Sequence, residues 1–112
     1  MSEEQLQFWP PGHDQTIFVR RGYHDLFHVL VTALRQAQEG KGATRHANSR
    51  PFDEQPIMVV ADMVGEGFLT GQAIKKIQES QRLDVAGAIE ERLGAINYLA
   101  ASILRLQKGA WR

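Results

Sequence analysis

Residues 84–107 read DVAGAIEERLGAINYLAASILRLQ. Asp84 opens the segment as an N-cap, because a carboxylate there accepts from the unpaired N–H groups of a first helical turn. Behind it Val85, Ile89, Leu93, Ile96, Leu99, Ile103 and Leu106 recur at helical spacing as one apolar stripe. The segment predicts a helix on the order of 35 Å long. Gly87, Gly94 and Ala101 recur every seven residues, flanked by Ala88, Ala95 and Ser102. A glycine inside a helix costs about 1 kcal/mol relative to alanine. Close approach of another helix along the small-residue ridge would offset that cost, the partner being either the preceding helix or a second subunit. So long a stripe on a chain of 112 residues points to a homo-oligomer. Asn97 lies beside Ile96 in mid-helix, the place of a register-setting buried amide.

Working back from this helix, residues 68–83 predict another, with Ile74 and Ile77 inward and Lys75, Lys76, Glu79 and Arg82 mostly outward. Gly65, Gly67 and Gly71 break or bend the chain around its start. The run IMVVADMV at 57–64 is too short for its period to decide between buried strand and core helix. Pro56 at a first helical position, with Asp53 before it as a cap, favours helix. Residues 23–39 predict the first helix, with Leu26, Phe27, Leu30, Val31 and Leu34 on one buried face and Gly40 and Gly42 as its stop. Residues 16–20, TIFVR, are β-prone and short. Pro10, Pro11 and Gly12 exclude helix and central strand from the start of the chain. The expected architecture is all-α: a single domain over 1–112, with an extended arm at 1–21, a compact helical-bundle body at 22–112 and the long last helix at an oligomer interface.

Composition narrows the class. Formal net charge is zero, with 43% apolar and 23% charged residues, which describes an ordinary globular protein. The absence of a basic excess argues against general nucleic-acid binding. No cysteine is present, which rules out disulfides and cysteine-ligated metal centres. The acidic opening MSEEQLQFWPPG lacks the order of a signal peptide, and no apolar run approaches the roughly 20 residues of a membrane span. A cytoplasmic protein is expected.

The residues with chemistry concentrate in 40–56, GKGATRHANSRPFDEQP. Its first eleven residues carry Lys41, Arg45, His46 and Arg50 and no acid. Arginine forks match phosphate oxygens two at a time, a histidine adds a donor, and a glycine-started loop offers backbone N–H groups. These are the ingredients of an anion site. Phe8, Trp9 and Tyr98 are the aromatics available to stack on a base, although packing is the simpler role for Phe8 and Trp9. His24 and His28, four apart, share a helix face in the manner of the first two ligands of H-E-x-x-H, with Asp25 in place of the glutamate. No third ligand follows at a diagnostic spacing, and packing against Leu26 and Phe27 is the simpler role. His13 with His24 and Asp25 matches the His…His-Asp pattern of metal phosphohydrolases only by chance. Asp53-Glu54 and Glu90-Glu91 lack the E-x-x-E repeats of helical pyrophosphohydrolases. No P-loop or dinucleotide glycine motif is present, and no cofactor is implied.

KGATRHANSRPFDEQPI, GFLTGQAIKKIQES and LGAINYLAASI together resemble small helical proteins carried by bacteriophages and prophages, over roughly residues 40–104. The resemblance implies a counter-defence factor. One class of these sequesters the cyclic nucleotide signals of bacterial immunity, in compact helical or mixed oligomers with basic and aromatic pockets at subunit interfaces. The leading expectation is non-enzymatic binding of a nucleotide or cyclic dinucleotide, with Lys41, Arg45, His46 and Arg50 on phosphate. The alternatives are a metal-dependent nucleotide hydrolase using His24, Asp25 and His28, and a module that docks a host protein.

Overall fold

A computed structural model of the chain describes residues 3–7, 16–40 and 50–110, with side chains at 17–40 and 50–110. Two compact units make up the chain, Met1–Val31 and Thr32–Arg112, and the boundary falls inside one helix.

In the first unit, strands β1 (Glu3–Gln7) and β2 (Thr16–Arg20) pair antiparallel, with Glu3 opposite Arg20 and Gln7 opposite Thr16. β2 is the β-prone TIFVR. Its Val19 is buried, while Ile17 and Phe18 are exposed. Gly22, at φ +89°, turns the chain into α1 (His24–Glu39). The first turns of α1 and β2 frame an open apolar groove of about 290 Å³, lined among others by Ile17, Phe18, Tyr23, Leu26, Phe27 and Leu30. The predicted buried face of α1 needs correction: Leu26, Leu30 and Leu34 are exposed, and the buried residue of this helix is Ala33.

The second unit is helical throughout its described residues, which bears out the all-α reading for the body. After the second half of α1 come a 3-10 turn at Phe52–Glu54, α2 (Pro56–Val64), α3 (Gly67–Ser80) and α4 (Val85–Gln107). Residues 57–64 are therefore helix. Pro56 occupies the first turn as expected, but the cap residue is Gln55 and not Asp53, which sits in the 3-10 turn. Gln55 Nε2 donates to the Arg50 carbonyl at 3.0 Å, and its own carbonyl accepts from Met58 and Val59. α2 and α3 meet at a bend of 120°. Gly65 makes that corner at φ 101°, ψ 175°, a region open in practice to glycine alone. Among the described residues, no single helix is long and apolar enough to cross a membrane.

α4 begins as predicted, with Asp84 Oδ1 accepting from Gly87 N at 2.8 Å. Its small-residue ridge is buried against the preceding helices. Ala101 joins Met58, Ala61 and Leu69 in the core, with Phe52, Ile57, Phe68, Tyr98 and Leu104 packed around them. A Cβ on Gly94 would meet the Lys76 stem at 3.0–3.1 Å, so this glycine answers to close approach of α3. A Cβ on Gly87 would meet Asp84 and Leu83, so the cap and not a partner helix sets the demand there. With Gly94, Ala95, Ala101 and Ser102 inward, most of the large stripe faces outward: Val85, Ile89, Leu99, Ile103 and Leu106 are exposed, while Leu93 and Ile96 are half-buried. α3 shows the same reversal. Leu69 and Ala73 are buried, whereas Ile74 and Ile77, expected inward, are exposed. Small residues let the helices approach closely, so the tightest packing runs along them and turns the bulky ones away.

Candidate functional site

Of the residues expected to bind a phosphate-bearing ligand, Phe8, Trp9, Lys41, Arg45 and His46 lie outside the described residues. Lys41, Arg45 and His46 fall between Gly40, at the end of α1, and Arg50, and both of these flanking residues belong to the helical unit. Arg50 is exposed, and among the described residues its side chain has no acid partner. Four other cations of this unit have one, while Arg35, Arg82 and Arg92, like Arg50, have none among the described residues. Lys76 lies 3.4 Å from Glu91, Lys75 lies 3.9 Å from Glu79, Lys108 lies 2.8 Å from Asp53 and Arg105 lies 2.9 Å from Glu66.

Tyr98 sits on the inner face of α4, half-buried. Its ring meets Phe68 edge-on at 6.4 Å, and Lys76 Nζ lies 5.9 Å from its centroid. Phe68, Lys76 and the Lys76–Glu91 ion pair thus hold the ring as part of the α3–α4 packing. Asn97 acts as the register amide its position predicted. Its Nδ2 donates to the Ala33 carbonyl at 2.9 Å and to Gln36 Oε1 at 3.3 Å, while Gln36 Nε2 donates to the Glu90 carbonyl at 2.9 Å. These bonds fasten the second half of α1 to α4.

His24 and His28 both lie on α1, in its first two turns. His28 meets the Phe27 ring edge-on at 5.6 Å and 71°. Among the described residues, no three His, Asp or Glu side chains gather where a metal ion could be held.

A buried polar cluster escaped the sequence reading. Glu66 sits at the α2–α3 corner and is buried, as are Ser102 and Arg105 on α4. Ser102 Oγ donates to Glu66 Oε1, Arg105 Nη1 donates to Glu66 Oε2 at 2.9 Å, and Arg105 Nε reaches the exposed Asp62 at 3.4 Å. Both Glu66 carboxylate oxygens accept hydrogen bonds from α4, so the cluster clamps the corner onto that helix. The signal was available: Arg105 continues the row of Gly94, Ala101 and Ser102 at i, i+7, i+8 and i+11, the row that packs inward.

At the surface, Lys108 hydrogen-bonds Asp53 and so joins the end of α4 to the 3-10 turn. That hydrogen bond, and then the lysine's charge, hold the Asp53 carboxyl below its ordinary range. A lowered carboxyl pKa in the folded state means that the pair's contribution is complete above the ordinary carboxylate range. It is lost as the pH falls through the lowered value. In an NMR pH titration, the Asp53 carboxyl should titrate lower in the wild type than in Lys108→Ala, and added salt should shrink the difference. Identical curves would show that the pair does not form in solution.

Compared with known proteins, the chain matches no family model, no curated protein and no solved structure.

Proposed function

We propose that this chain is a non-enzymatic binding protein that sequesters a phosphate-bearing small molecule, a nucleotide or cyclic dinucleotide, and works as a homo-oligomer. The observation that carries the reading is the distribution of charge. Four cations elsewhere in the helical unit, Lys75, Lys76, Arg105 and Lys108, are answered by acids within it. The stretch from Gly40 to Arg50 brings four basic side chains and no acid. A run of positive charge with no acid among it is what a dianionic ligand requires. Asn97 and Gln36 fasten the end of α1 to α4, and the buried Glu66–Arg105 pair fastens the α2–α3 corner to the same helix, so the elements that flank the stretch are both held to α4. Lys41, Arg45 and His46 are assigned to phosphate, with Arg50 assisting. Tyr98, the aromatic of this unit expected to stack on a base, has its ring engaged by Phe68 and Lys76. The resemblance to small phage proteins makes the role one of counter-defence, in the host cytoplasm.

Arg45→Ala should weaken binding of the cognate nucleotide about 10- to 150-fold, the loss of one or more hydrogen bonds to a charged group. Its melting temperature should remain that of the wild type. Native mass spectrometry with a pool of nucleotides and cyclic di- and trinucleotides identifies the ligand, and titration calorimetry of the mutant checks the site. Undiminished affinity in Arg45→Ala would remove the assignment.

One observation favours a second reading, a module that docks a host protein. Large apolar side chains stand exposed on α1, α3 and α4. That reading predicts no nucleotide affinity and a stoichiometric protein partner. The hydrolase reading through His24, Asp25 and His28 has no third donor among the described residues.

A further inference from the structure

We draw no further inference here: the strongest candidate, the apolar groove framed by β2 and the first turns of α1 in the first unit, carries nothing because nothing in the structure shows what covers it.

Discussion

Glu66→Ala is expected to destabilise the helical unit by about 3–5 kcal/mol, the cost of stranding a buried charge. Arg105 is 8% exposed, and Glu66 is its close partner at 2.9 Å. Asp62, the second acid, lies at 3.4 Å with its side chain 72% exposed, and cannot move inward without leaving water. Ser102 loses its acceptor in the same variant. For a chain of this size the loss corresponds to a fall in melting temperature well above about 10 °C. Glu66→Gln retains an oxygen for Ser102 or Arg105 and should fall between wild type and alanine. Replacing the pair together, Glu66→Leu with Arg105→Met, should recover most of the loss, because apolar side chains of similar volume fill the same space without an unpaired charge. Urea denaturation at one fixed protein concentration measures all three, since an oligomer's apparent stability varies with concentration. A loss below about 1 kcal/mol for Glu66→Ala would mean that water reaches the pair in solution.

Leu69→Ala should cost about 2–5 kcal/mol, while Ile74→Ala, five residues along the same helix, should cost under about 1 kcal/mol. Leu69 is fully buried among Met58, Ala61 and Ala101, and truncation leaves a cavity there. Ile74 is 66% exposed, so its truncation removes little packed surface. Comparable losses at the two positions would show that α3 is rotated about its axis, with Ile74 inward as its spacing suggests.

The elements were legible because their signals are local. Asp84 caps α4 through a bond to a residue three positions on, and Pro56 begins α2 because its fixed φ suits a first turn. The β-prone TIFVR is a strand. The basic stretch at 40–50 is likewise a local signal, a run of bases without acids, and its reading stays with the sequence: Arg50 is its described charged side chain, while Lys41, Arg45 and His46 lie outside the described residues. Asn97 was read correctly as a register amide because a lone polar residue in a helix interior needs partners wherever it is buried.

The orientation of the helices was not legible in the same way. Hydrophobic period identifies the apolar side of a helix and says nothing about what covers it. On α4 two rows competed, one of large aliphatic residues and one of glycine, alanine and serine, and the close approach of α3 at Gly94 gave the inside to the small row. Glu66 and Arg105 are 39 residues apart and have no pattern in common. Their pairing exists because Gly65 turns α2 into α3 and carries the carboxylate to the side of α4 where the arginine lies. By itself the sequence determined where helices start and stop and which loop concentrates positive charge, since those depend on neighbours along the chain. Which faces are buried, which charges are paired and which apolar row stays exposed depend on contacts between distant segments, and only the tertiary structure decided them.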